Sequence, residues 1–511
     1  MATWSVDQWR SIRLSNDDLD QLSPLLSLVG SSVRHMVVVQ PSQKSIIKVM
    51  HSLIHLGMTR LSTFMIAIDD KCDLVPSSTF TTFAQHMTRL HTGSVRSQCD
   101  IFGILACCPK LTHFSSSARV HVSRTRTTKS TLCLNLQYLR INHCINTEQL
   151  LDIMRASPKM RHLRLKWHSN IDLIQIVNTR PELDMITFNT FPSLGQDPLW
   201  MDDHDITPCK HLRTLEFANV LHETPLHHLM AILNCSWGKG LERLVCEIGR
   251  LYKSKDTMRR MPPIMLPPDT CQLQEFIYNS HKPDMDEIHD PEDTIMLPIL
   301  SRCKQLQSIA LDMDAGYDGR SGRPLNDQML PDLAPFNHLP QLRHLSIHEF
   351  RDDLSDLSFM FLQMRHFQIQ LESFEYQICA LDTALEFVGA LRMMPTMRHL
   401  ILKEVRPGCI TTRGLKDLAR HLQESSPIHT LTLKRCYTLQ SVTGVEALCN
   451  MTSIKHLIID TRFVNAFGLR NLANQHPSLE TLELIDVVTS GFEKQDMVKY
   501  LASRINRVVV H

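Results

Sequence analysis

The sequence has little glycine, 17 in 511 residues, and few aromatic residues, at 6%. Phosphate-binding loops rely on glycine for close backbone approach, and neither G-x-x-x-x-G-K-[ST] nor G-x-G-x-x-G occurs. The G-x-S-x-G elbow that exposes a nucleophilic serine is missing as well. Neither sign of charge is in excess: Lys+Arg is 54, Asp+Glu is 53, and the net charge is +1. Bulk charge therefore does not point to nucleic acid or to a membrane surface as a partner. No apolar run reaches the ~18 residues that a membrane-spanning helix needs. MATWSVDQWRSIRL, from Met1 to Leu14, has no apolar run of signal-peptide length. The expected setting is the cytoplasm or the nucleus.

Fragments of metal-site grammar fail on spacing. His222-Glu223-Thr224-Pro225-Leu226-His227 is one residue too long for H-E-x-x-H, and Pro225 would break the helix that aligns two imidazoles. Asp202-Asp203-His204-Asp205 reads as a solvated turn. Asp312, Asp314 and Asp318 resemble a calcium loop, but glycine stands at its fifth position (Gly316) and Tyr317 at the sixth, where the turn requires glycine. No catalytic residue, metal or cofactor is expected. The 15 cysteines form no C-x-x-C pair. Several hold fixed places in the repeat described next: Cys108, Cys209 and Cys303 just before it, Cys144 and Cys436 just after. That regularity fits small buried thiols better than disulfides.

What the chain does have is a beat: an apolar residue, two others, Leu, one other, then Leu or Ile. It is clearest at Met397-Leu400-Leu402, Ile428-Leu431-Leu433, Ile454-Leu457-Ile459 and Leu479-Leu482-Leu484, whose first residues lie 31, 26 and 25 positions apart. Between beats the period changes. Thr411 or Thr412 can cap a helix, Leu415, Leu418 and Leu422 then share one helical face, and Pro427 ends it. Leu469, Leu472 and Pro477 repeat this grammar. Further beats begin at Val33, Leu61, Leu111, Leu136, Met160, Leu183, Leu212, Leu241, Leu273, Leu306, Leu342 and Leu371, with Met364 competing for the last place. The stretch from Lys71 to Asp100 has room for one degenerate repeat. A single strand-helix unit cannot bury its apolar face alone, so the units must stack.

These beats resemble the leucine-rich repeat superfamily over roughly residues 30–500. LQYLRINHCINTEQLLDIM (136–154) and IHTLTLKRCYTLQSVTGVEAL (428–448) are similar to the cysteine-containing subtype of F-box proteins, as are Cys-Pro-Lys-Leu at 108–111 and Cys-Lys-His-Leu at 209–212. The resemblance implies an α/β solenoid, a horseshoe with a parallel concave sheet and helices on the convex side. The expected organisation is an N-terminal helical cap over 1–30, a repeat array over 31–500 and a C-terminal cap over 501–511. Loops are expected near 115–131, 189–208, 253–269, 281–293 and 312–335.

F-box proteins of this kind attach through an N-terminal helical segment to a Skp-type linker and a cullin. Ser5 to Ile12 reads as an amphipathic helix and is similar to the tail of that segment, which makes Val6, Trp9 and Ile12 the expected linker-docking residues. Here Val6 and Trp9 are one residue closer than in the family pattern, and its upstream Leu-Pro opening is missing. The expected function is non-catalytic: a substrate receptor of a ubiquitin ligase, or else a free-standing scaffold. A GTPase-activating protein of the leucine-rich repeat type fits less well, because the repeats are irregular and Met497 to His511 is basic.

One spelling recurs within the beats, a base followed by His. It occurs at Arg34-His35, Arg161-His162, Arg343-His344, Arg365-His366, Arg398-His399 and Lys455-His456. Side chains alternate along a strand, so these histidines would face outward while the beat faces the core. His35, His162, Arg164, His344, His399 and His456 are thus the candidate residues for gripping a protein partner on the concave face, beside Tyr138, Arg140, Glu216 and Glu483. Two readings stay open: a weakly basic, pH-sensitive binding surface, or a spelling shared among repeats that merely suits a solvent-facing strand.

Overall fold

A computed structural model of the chain describes residues 11–15, 33–39, 55, 61–67, 78–93, 98–117, 119–121, 135–142, 145, 147–166, 173–188, 211–220, 240–248, 271–280, 303–312, 339–348, 361–362, 364–378, 384–404, 408–423, 426–460, 462, 464–485 and 491–510. The chain divides into two compact units, Met1–Thr224 with Cys235–Leu241, and Pro225–Asn234 with Glu242–His511.

The first unit carries strands β1 Ser11–Ser15, β2 His35–Val39, β3 Thr63–Ala67, β4 Arg89–Gly93, β5 Gln98–Asp100, β6 His113–Ser116, β7 Arg119–His121, β8 Tyr138–Ile141, β9 His162–Leu165, β10 Met185–Phe188 and β11 Thr214–Val220. Its helices are α1 Ser78–Ala84, α2 Ile101–Cys107, α3 Thr147–Ala156 and α4 Leu173–Thr179. All its strands except β5 and β7 join one parallel sheet in chain order. β5 and β7 pair only with each other.

The second unit carries β12 Arg243–Ile248, β13 Glu275–Ser280, β14 Ser308–Asp312, β15 His344–His348, β16 Ser373–Ile378, β17 His399–Glu404, β18 Thr430–Lys434, β19 His456–Asp460, β20 Thr481–Ile485 and β21 Arg507–Val510. These also pair in parallel, each with its neighbour in sequence. Helices α5 Ala384–Arg392, α6 Thr412–His421, α7 Val442–Cys449, α8 Ala466–Gln475 and α9 Gly491–Ala502 fall between its later strands. Each unit thus has a solenoid-like arrangement of parallel strands, with the described helices lying between some of them.

The beat becomes the core. Leu400, Leu431, Leu457 and Leu482 occupy one register row of the second sheet, and Leu402, Leu433, Ile459 and Leu484 another. All eight are at most 3% exposed, so each row forms a continuous apolar seam beneath the helices. Burying one such leucine stabilises the fold by about 2 kcal/mol. Helices start where a side chain accepts a free first-turn N–H. Thr411 caps α6 through Gly414 N, Ser441 caps α7 through Gly444 N, and Asn465 caps α8 through Gly468 N. On α6, Leu415 and Leu418 then fall on the buried face.

Repeats are stitched at the lead into each strand. The carbonyl of one residue accepts two consecutive N–H groups of the next repeat: Arg398 O from His429 and Thr430, His429 O from Lys455 and His456, Lys455 O from Glu480 and Thr481. Buried Glu404 adds a side-chain bridge. Its Oε1 accepts from Ile410 N at 3.1 Å, and its Oε2 from Tyr437 N in the following repeat at 2.8 Å.

Several expectations change. Ser11 and Ile12 lie in β1, not in a helix, with Ile12 in register with Met36. Ser-Ile-Arg-Leu-Ser alternates apolar and polar residues with period two, which favours a strand. Val6 and Trp9 lie outside the described residues. Ser115 and Ser116 of the expected 115–131 loop belong to β6, and Arg119–His121 form β7. Asp312 ends β14, while 189–208, 253–269, 281–293 and the rest of 312–335 lie outside the described residues. The uncertain Lys71 to Asp100 stretch contains a full repeat, α1 and β4. Leu371 leads β16, whereas Met364, Arg365 and His366 sit in a helical turn. At the C-terminus, Val508 to Val510 extend the sheet as β21.

Candidate binding surface

The base–His spelling separates into two roles. The base lies just before the strand and reaches the next repeat: Arg161 pairs with Asp184 at 3.2 Å, Arg343 with Glu372 at 3.5 Å and Lys455 with Glu480 at 3.0 Å. These pairs are exposed and contribute at most about 1 kcal/mol each. The histidine is the first residue of its strand and stands on the solvent-facing side of the sheet. His35 opens β2, His162 β9, His344 β15, His399 β17 and His456 β19. His366 is not among them, being in a helical turn.

In the second unit, one register row runs His344, Ser373, His399, Thr430, His456, Thr481. Histidine therefore recurs on every second strand, about 9–10 Å apart at the usual strand spacing. The next solvent-facing row runs Ser346, Glu375, Ile401, Thr432, Ile458, Glu483. His399 Nε2 lies 2.9 Å from Thr432 Oγ1, His456 Nε2 lies 3.0 Å from Glu483 Oε1, and Lys434 pairs with Glu375 at 2.9 Å. Burial, reinforced by His456, Lys434 and His344 against the opposing pull of Glu375, lowers the His399 pKa to about 4. His399 is thus neutral at physiological pH and does not switch there, contrary to a near-neutral pH response at this position.

In the first unit, His35 and His162 belong to one row but stand five strands apart, separated by Thr63, Arg89, His113 and Tyr138. Arg164 lies in the next solvent-facing row, which runs His91, Ser115, Arg140, Arg164, Thr187, Glu216. The candidate residues therefore fall into two groups, His35, His162 and Arg164 in one unit and His344, His399 and His456 in the other. The base–His rule passes over His91 and His113, which follow Leu90 and Thr112. A rule based on the first and third strand positions would have found both.

No protein-family profile matches the chain, and no curated protein matches it.

The cysteines of the repeat frame are buried free thiols at Cys108, Cys303 and Cys436. Burial and the nearby Glu404 carboxylate push the Cys436 thiol up to about 12. Cys271 and Cys303 approach to 3.5 Å between sulfurs, and that hydrogen bond together with burial pushes the Cys303 thiol up. Cys144 and Cys209 lie outside the described residues, as do Asp202 to Asp205. Among the described residues no three His, Cys, Asp or Glu side chains converge as a metal site, and no helix is long and apolar enough to cross a membrane.

Proposed function

We propose that this chain is a leucine-rich repeat protein that acts by binding another protein on the solvent-facing side of its strands. The observation that carries this reading is the long register row of polar side chains from His344 to Thr481, with a second, mixed row beside it, held rigidly by the apolar rows beneath them. A rigid row of donors and acceptors recognises an extended partner at low entropic cost. The chain works by recognition, with any chemistry supplied by an assembly around it. Its buried free thiols suit the reducing cytoplasm or nucleus.

The resemblance to F-box proteins gives this reading its ligase form, in which the bound protein is a substrate and a Skp-type linker and cullin are recruited. The scaffold form has no such recruitment. Affinity purification of the tagged full-length chain from its own cells decides between them. Recovery of a linker and a cullin with the partner is the result expected of a receptor. A partner recovered without them leaves the scaffold form. Recovery of no protein at all would overturn the recognition reading.

A further inference from the structure

The solvent-facing side of β4, β6, β8 and β9 carries a concentration of positive charge that the net charge of +1 conceals. One row reads Arg89, His113, Tyr138, His162, and the next His91, Ser115, Arg140, Arg164. Lys166 follows Arg164 two residues on. No acidic residue occupies these positions. The nearest on the same rows is Glu216, two strands beyond Arg164, where it accepts from Thr187 at 3.1 Å. From Arg89 to His162 is about 14 Å at the usual strand spacing, so the patch is compact.

Its parts are ordered for recognition of an anion. Arg140 donates through Nε to Asn142 Oδ1 at 3.0 Å, and Asn142 is itself held by Ser117 at 3.1 Å. This fixes the guanidinium plane while its two terminal nitrogens make no hydrogen bond to a described residue. Between His91 and Arg140 in the register, Ser115 Oγ is buried and has no hydrogen-bond partner among the described residues. A buried hydroxyl left in that state is destabilising unless a ligand takes it up. The His91 and His113 pKa values are lowered, first by burial and then by Arg140 and Arg89 respectively, with His162 adding to the effect on His113. The two arginines thus add to burial in disfavouring a charged ring.

We propose that this patch binds a phosphorylated serine or threonine in a segment of the partner protein, with Arg89 and Arg140 gripping the phosphate and Ser115 donating to it. The assignment rests on the protein-recognition reading above and specifies its partner. Arginine suits a phosphate because its planar fork offers two parallel donors. A peptide fits better than nucleic acid for two reasons. Tyr138, the aromatic residue of the patch, has His113 stacked at 5.7 Å on one side and His162 at 6.5 Å on the other, so its faces are not open to a base. The positions in register on either side are also uncharged, Thr63 and Met65 on β3 and Met185 and Thr187 on β10. Met65 on β3, 38% exposed, and Met185 on β10 offer apolar contact to residues either side of a phosphate.

The test uses the full-length protein and four probes: a degenerate peptide library with a central phosphoserine, its unphosphorylated twin, a single-stranded RNA, and phosphatidylcholine vesicles containing phosphatidylserine. The phosphorylated library should bind roughly tenfold or more tightly than its twin, and Arg140→Ala should remove most of that difference. Arg140→Lys, which keeps the charge but not the fork, should fall between. Ser115→Ala, a smaller change, checks that the loss is local, and circular dichroism checks that each variant folds. Equal binding of both libraries, or tighter binding of RNA or vesicles, would overturn the proposal. In the purification experiment, a partner that is recovered equally by wild type and the Arg89→Ala/Arg140→Ala double variant, and that ignores phosphatase, would overturn it while the recognition reading survives. Phosphopeptide binding with no protein recovered would support the phosphate site and sink the recognition reading instead.

Discussion

A buried imidazole without a partner is a local defect, and His476 is one. Both its ring nitrogens are buried and have no hydrogen-bond partner among the described residues, and burial lowers its pKa to about 4. The residue occupies the position before a repeat's turn that Cys108, Leu339 and Met394 fill elsewhere, each at most 1% exposed. His476→Leu should therefore stabilise the fold, by about 1 kcal/mol at neutral pH, by removing polar atoms that gain nothing from burial. His399 shares the lowered pKa. Both rings take up a proton near pH 6.5 in the unfolded chain but only near pH 4 in the folded one. The unfolded chain holds more protons in between, so stability falls as pH drops from 6.5 to 4 and levels off below. His476→Leu should shrink that fall. Urea unfolding at pH 7 and pH 5 checks both statements, and an unchanged difference between the two pH values would count against the assignment to His476. The same scale shows where the sequence misleads. Arg89-Leu90-His91-Thr92 hides a repeat because Thr92 stands where the beat wants an apolar residue. In the fold, Thr92 Oγ1 donates to Ser116 Oγ at 2.9 Å, and the buried pair satisfies itself. A polar residue whose partner lies 24 positions away leaves no local signature.

At the scale of the element, two glycines in helices have opposite meanings. In α7, a Cβ at Gly444 would run into the carbonyl oxygen of Thr438 in the preceding 3-10 turn. In α5, a Cβ at Gly389 would meet nothing within 4 Å. Gly444→Ala should destabilise by about 1–3 kcal/mol, since backbone must shift to admit the methyl group. Gly389→Ala should stabilise by about 0.5–1 kcal/mol, because alanine loses less entropy in a helix. The denaturant midpoints of the two variants should move in opposite directions, and a common direction would refute the packing argument. Elements were legible where period and cap agreed, as in α6 with Thr411, Leu415 and Leu418. At Ser5 to Ile12, helical spacing of Val6, Trp9 and Ile12 competed with the strict alternation of Ser11 to Ser15, and pairing with β2 decides for the strand over 11–15. Short apolar segments are ambiguous in this way until a neighbouring strand supplies hydrogen bonds. The histidine rows were legible as a spelling, but their division between two units was not. Which strands stand side by side in one compact unit depends on packing that no single repeat encodes.

At the scale of the molecule, the sheet pairings within each unit run from one repeat to the next in sequence. In such an array stability approximates a sum of repeat terms and nearest-neighbour interfaces. Damage to one repeat should then spread by degrees to its neighbours, where a globular core would lose structure everywhere at once. Leu400 offers a place to test this. It is 0% exposed and sits in register between Phe374 of β16 and Leu431 of β18. Leu400→Ala should cost about 2–5 kcal/mol through lost burial and the cavity left behind. Hydrogen exchange on the full-length variant should show the largest loss of protection in β16, β17 and β18, and a smaller one at β20, two strands further on. The lead-in hydrogen bonds give the reason for the gradient, since each joins a repeat only to the one before it. Glu404 sharpens it on one side, because its bond to Tyr437 N ties the damaged strand directly to the following repeat. Loss of protection should accordingly extend further toward β18 and the Tyr437–Gln440 turn than toward β15. A uniform loss from β12 to β21 would mean that the second unit unfolds as one cooperative body, and the nearest-neighbour account of its stability would fail.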